Sequence, residues 1–276
     1  MLRRFCYVIA LWALFVSSAA AQVVRFQTSV GDFDMVLNPT DNPILDDYVD
    51  NFVFYVENNS YNSSWINRAD TGFVLQMGGF YSHTRRPPPT IDSTRPVFPF
   101  NPVAGQPAAE TGLSNTVGTV ALALPGLATG GTNQDAGTSS FFINLTSNTF
   151  LDPDFTVFAA IPDLTVVNQI MALMTIDRTT DPVFGAGPGN LGFTDVPLQD
   201  NGQQVLIKRA FLVQDTTAIA RAMAGVAPAM ALSAGGGSPS NMLGLNSFAV
   251  PEPASLLTAM LGALTALGLP FRRRRK

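Results

Sequence analysis

A beat of two runs through the body of this chain and constrains its fold more than any other feature. Val24, Phe26 and Thr28 alternate with Arg25, Gln27 and Ser29, and after Gly31 the series Phe33, Met35 and Leu37 alternates again. Side chains at every second position share a face only in an extended strand, so this stretch predicts a hairpin with one face turned inward. Strand-like runs follow over residues 72–77, 119–124, 140–144, 156–160 and 205–213. Only two stretches keep helical spacing. Asn42 stands before Pro43, a residue suited to a first helical turn, and Leu45, Tyr48, Phe52 and Val56 come at steps of three and four. The second starts after Asp163 and would bury Val166, Ile170 and Leu173. Many short strands with two helices must dispose of their strand edges, which predicts an all-β fold: a closed antiparallel β-barrel with two capping helices. Residues 81–109, which include Pro87, Pro88 and Pro89, are excluded from any central strand and read as a long loop.

The two ends have a different character. Arg3 and Arg4 precede an apolar run over residues 5–16, and small residues at Ala19 and Ala21 predict cleavage of a signal peptide, residues 1–21, before Gln22. The chain's one cysteine, Cys6, lies in that segment. The remainder therefore has no thiol chemistry, zinc thiolate or disulfide. At the other end, Pro251, Glu252 and Pro253 are followed by an uncharged stretch over 254–269 and then by Arg272, Arg273, Arg274, Arg275 and Lys276. This order resembles the PEP-CTERM sorting signal of bacteria. The resemblance implies a transmembrane segment within 251–276, an exosortase-type processing partner, and a destination in the cell envelope, on the surface or in the extracellular matrix. The cations would stay on the cytoplasmic side. Residues 216–250, rich in Ala, Gly and Ser, read as a flexible spacer to that tail, which leaves 22–215 as the main domain.

Without the ends, residues 22–250 carry 9 basic and 19 acidic side chains, a net of −10. Such a surface repels phosphate backbones, so nucleic acid is excluded as a partner. The one histidine, His83, has no cysteine or second histidine to complete a metal site, and neither a metal nor another cofactor is expected.

The most informative stretch is Trp65-Ile66-Asn67-Arg68-Ala69-Asp70-Thr71-Gly72-Phe73-Val74-Leu75-Gln76-Met77-Gly78-Gly79. It resembles the signature of cyclophilin-type peptidyl-prolyl isomerases, with Arg68, Gly72, Phe73 and Gln76 at the matching positions. Three further blocks agree in order: Glu110, Leu113, Asn115, Gly118 and Ala123; Ser139 to Ile143; and Phe150-Leu151-Asp152 with Phe155-Thr156-Val157-Phe158. The resemblance covers roughly residues 22–213.

It implies a catalyst of X–Pro bond rotation that acts on proline-containing polypeptides. That rotation sacrifices amide resonance, with a barrier of about 20 kcal/mol, and makes or breaks no bond. As the amide twists, the proline nitrogen regains a lone pair, so a fixed cation donating a hydrogen bond there favours the transition state. The resemblance assigns that role to Arg68, with Gln76 holding the substrate carbonyl or orienting Arg68. It assigns the substrate pocket to Phe73, Val74, Phe142 and Leu151, with Phe155 at its edge and Ala123 and Ser140 beside it. The sequence departs from the family at Val74, Leu124, Ser140, Phe150 and Phe155, and Met77 is an extra residue between Gln76 and Gly78. Three readings therefore stand: an active foldase for exported proteins, a binding module that keeps the pocket without turnover, and a structural surface or matrix protein.

Overall fold

The beat of two is realised as strands β1 (Val23–Thr28) and β2 (Asp32–Leu37), paired antiparallel with Phe26 opposite Phe33. The structure, a computed structural model, describes residues 22–82, 94–96, 103, 105, 108–124, 132–179 and 191–234. The segments 1–21 and 251–276, with Pro251, Glu252 and Pro253, lie outside these residues, as does His83.

Nine more strands follow: β3 (Ser64–Ala69), β4 (Val74–Ser82), β5 (Thr94–Pro96), β6 (Thr119–Leu122), β7 (Phe141–Asn144), β8 (Val157–Ala160), β9 (Met174–Ile176), β10 (Val196–Leu198) and β11 (Leu206–Leu212). The order β3-β11-β1-β2-β8-β6-β7-β4 returns to its start because β4 also pairs with β3. Eight antiparallel strands thus close into a barrel and leave no edge among themselves. β5 is a short flap on β4, and it ends in Pro96, a residue confined to edges. β9 and β10 form a separate ribbon. Its neighbour on the barrel is β3, where Trp65, Phe80 and Phe193 pack together.

Helix α1 (Asp46–Glu57) grows out of a 3-10 turn, Pro43–Leu45, whose first free amide, on Ile44, donates to the Asn42 side chain at 3.1 Å. It buries Leu45, Tyr48, Phe52 and Val56 as the spacing requires, and closes one end of the barrel. Phe52 meets Phe158 at 5.2 Å, Tyr61 at 5.3 Å and Phe141 at 5.4 Å between ring centroids, and Phe26 meets Phe141 at 5.6 Å. Each such ring contributes about 1.5–3 kcal/mol by leaving water. After a single turn, α2 (Ala108–Thr111), helix α3 (Thr165–Met171) buries Val167 and Ile170, while Val166 and Leu173 are only half-buried. The predicted stripe was therefore one residue out of phase at its start.

The spacer needs a larger correction. Residues 216–234 form helix α4 (Thr216–Ala234), so flexibility does not begin at Thr216. Alanine is the strongest helix former, and Asp215 supplies a cap, accepting from the Thr217 amide at 2.8 Å. Ala222 and Val226 then bury against Val23, Val36 and Ala160. Gly225 makes this approach possible: a Cβ there would sit 2.7 Å from the Pro162 Cβ. Among the described residues no helix is long and apolar enough to cross a membrane, and the apolar run over 254–269 lies outside them.

Candidate functional site

Strand register assembles the candidate site. Arg68 of β3 pairs with Gln76 of β4, Gln76 with Phe142 of β7, and Phe142 with Ala121 of β6. Directly paired residues share a face, so these four side chains form one row across four strands. The row beneath it runs Ile66, Met77, Phe141, Leu122. Because Phe141 points into the aromatic core, the Arg68 row points the other way, outside the barrel. The register of β3 on β4 shifts twice: between Ile66 and Arg68, which lets these two residues face opposite ways, and between Ser64 and Ile66, opposite Met77 to Tyr81. There Gly78 takes a φ of +84°, with Ser139 O only 2.7 Å from where a Cβ would be.

Gln76 is fully buried, and its Nε2 donates to Ser140 Oγ at 3.3 Å. Ser140 Oγ in turn reaches Met77 O at 3.4 Å. Ala123 is tied to the same strand, its amide donating to Ser140 O at 2.9 Å. Val74, Ala123, Ser140, Phe142, Leu151 and Phe155 are all buried, and Phe73 is half-buried. Phe142 and Phe155 meet edge to face at 5.6 Å. Phe73 stacks on Phe150 at 6.0 Å, and Phe150 remains 60% exposed.

Arg68 is the unusual member. It is 4% exposed, and its Nη2 donates to Asp70 Oδ2 at 2.6 Å. Its Cζ lies 5.3 Å from the centre of the Phe73 ring, a cation–π contact. Nε and Nη1 are buried without a hydrogen-bond partner among the described residues. An orphaned buried donor costs about 1–3 kcal/mol, more when charged, and persists where something else is meant to satisfy it. The arrangement can offer an N–H group of a fixed cation, from Nε or from Nη1, to an acceptor beside an apolar wall.

A polar network missing from the sequence reading holds that wall. Asn115 Nδ2 donates to Asp152 Oδ1 at 2.9 Å and to Phe155 O at 3.0 Å, and its Oδ1 accepts from Asn144 Nδ2 at 3.0 Å. Asn148 Nδ2 donates to Asn144 Oδ1 at 2.8 Å and to Phe73 O at 3.1 Å. Ser114 Oγ closes a short hydrogen bond on Asp152 Oδ2. The loop bearing Phe150, Leu151 and Phe155 is thereby fastened to the turn bearing Phe73. Asn115 and Asp152 stood in the recognised blocks, but their pairing spans 37 residues and no local pattern announces it.

This chain is similar to several known proteins. The family model described as cyclophilin type peptidyl-prolyl cis-trans isomerase/CLD matches residues 23–184. A peptidyl-prolyl cis-trans isomerase of Acinetobacter baylyi is 30% identical over 181 residues, covering 63% of this chain and 85% of its own length. Peptidyl-prolyl cis-trans isomerase A of Dickeya dadantii is 34% identical over 129 residues, 47% of this chain and 57% of that protein. A cyclophilin-type isomerase from Cryptosporidium parvum, solved by crystallography, aligns with a TM-score of 0.46 and 17% identity over 71% of this chain and 99% of its own.

Proposed function

The chain belongs to the cyclophilin-type peptidyl-prolyl cis-trans isomerase family, and from that premise we propose that it rotates X–Pro bonds in exported or surface polypeptides, with Arg68 donating to the prolyl nitrogen. The observation that carries the proposal is the pair of orphaned donors on a buried guanidinium, Arg68 Nε and Nη1, in one row with Gln76 and Phe142. The nitrogen of a planar amide is a poor acceptor and that of a twisted amide a good one, so the hydrogen bond strengthens on the way to the transition state. The twisted amide is also less polar than the planar one, so a wall built from Phe142, Leu151 and Phe155 favours it again.

A charged hydrogen bond contributes about 1.5–3 kcal/mol, and each 1.36 kcal/mol is tenfold in rate. Exchange NMR on an Ala-Pro peptide should show the purified protein accelerating cis–trans interconversion, and Arg68→Ala should cut that acceleration roughly ten- to hundredfold. Equal rates with and without protein would overturn the proposal.

One observation favours the binding-module reading as the runner-up. The Gln76 amide donates to the Ser140 hydroxyl, and that hydroxyl donates to Met77 O, which spends polar capacity inside the protein. In that case the same peptide would shift protein resonances without faster exchange. Export, envelope or surface localisation and processing by an exosortase-type enzyme rest on residues 1–21 and 251–276 of the sequence. Cell fractionation tests them, and a full-length protein found in the cytoplasm would refute them.

A further inference from the structure

The isomerase reading gives Arg68 its contact with substrate but does not say what aims it. A guanidinium carries five N–H groups on a long flexible stem, and an apolar wall alone would let it turn. Here three features hold it. Its position in β3 is set by pairing with Gln76. The Phe73 ring lies against its face, 5.3 Å from Cζ. Asp70 takes its Nη2 at 2.6 Å.

Asp70 is itself placed by backbone. It opens the four-residue turn between β3 and β4: its amide donates to Val74 O at 3.0 Å, and its carbonyl accepts from the Phe73 amide at 3.0 Å. The same turn therefore carries both the carboxylate and the aromatic ring that grip the guanidinium. Phe73 is fixed from the far side, where its carbonyl accepts from Leu145 N at 3.0 Å and Asn148 Nδ2 at 3.1 Å. With Nη2 engaged by Asp70, the donors left over are Nε and Nη1, on separate sides of the guanidinium and both without a partner among the described residues.

We propose that Asp70 is the positioning residue of the isomerase site, holding Arg68 by Nη2 so that an unpartnered N–H of the guanidinium faces the prolyl nitrogen. The inference rests on the isomerase reading for its catalytic meaning. Asp70 contacts no reacting atom in this scheme and acts only through Arg68. Its carboxylate also offsets the burial of a charge, which would otherwise cost several kcal/mol. Positioning and charge compensation are separable. Compensation alone would alter stability and leave the turnover of the folded protein unchanged, whereas positioning alters that turnover.

The test is a double-mutant cycle on the purified protein, reading exchange rate at saturating Ala-Pro peptide and peptide affinity separately. Asp70→Ala should lower the rate about tenfold with affinity changed less than twofold, because the apolar wall still binds the ground state. Asp70→Asn keeps an acceptor without the charge and should recover part of the loss, and it also serves if the alanine variant folds poorly. In an Arg68→Ala background, Asp70→Ala should change the rate less than twofold. An unchanged rate in the single variant, or the same loss in both backgrounds, overturns the proposal.

A second readout needs no turnover. The Nη protons of Arg68 should give separate NMR signals in the unsubstituted protein, because rotation about Cζ–Nη2 is held, and should merge in Asp70→Ala. Merged signals in the unsubstituted protein overturn the inference. Separate signals that merge on substitution, in a protein that accelerates no exchange, would sustain the positioning role and refute the isomerase reading instead.

Discussion

Asn115 has every polar atom engaged: its side chain joins Asp152, Phe155 O and Asn144, its amide donates to Asp152 Oδ1 at 2.7 Å, and its carbonyl accepts from Asn148 N at 2.7 Å. It is fully buried, so no water stands ready to replace what a substitution removes. Asn115→Ala should cost about 2–4 kcal/mol in urea unfolding, since it removes three side-chain hydrogen bonds, with Asp152, Phe155 O and Asn144, from a buried network. A loss under about 1 kcal/mol would mean that the neighbours re-pair. The contrast with Arg68 explains what was legible at this scale. Arg68, Gln76, Phe73 and Phe142 sit in contiguous blocks, and the resemblance named them before any fold was known. Asp70 and the asparagine network were not read, although most of these residues lie inside or beside the same blocks. Their roles come from contacts across turns and between strands, and a buried asparagine looks in sequence like any polar loop residue.

At the scale of elements, periodicity served where one face is buried and the other wet. The β1–β2 hairpin and the stripe of α1 follow it closely. β3, with every residue of Ser64–Ala69 buried, shows no alternation and escaped notice, although it carries Arg68. α4 escaped for another reason: runs of Ala and Gly suit both a flexible linker and a helix, and what decides is the surface of β2 and Pro162 that it finds. Gly225→Val tests that docking. With no room for a Cβ beside Pro162, the variant should lose amide hydrogen-exchange protection over residues 216–226 while peptide isomerisation stays within twofold of normal. Retained protection would show that the helix slides without detaching.

For the molecule as a whole, residues 22–250 carry a net charge of −10, large for a body this size. A field of that sign attracts cationic chains and repels acidic ones, and salt screens both effects. Between about 20 and 200 mM salt, kcat/KM should fall about two- to fivefold for an Ala-Pro peptide flanked by lysines and rise for one flanked by glutamates. Parallel salt responses for the two peptides would mean that the field at the Arg68 row does not follow the net charge. Strand order adds a directional consequence. β3, β4, β7 and β6 carry the Arg68 row and make one half of the ring, whereas α4 packs on Val23 of β1, Val36 of β2 and Ala160 of β8 in the other half. The helix thus docks on the half of the barrel that does not carry the Arg68 row. A polypeptide arriving at the Arg68 row therefore meets a side of the barrel that the helix leaves uncovered, and need not displace the helix to reach it.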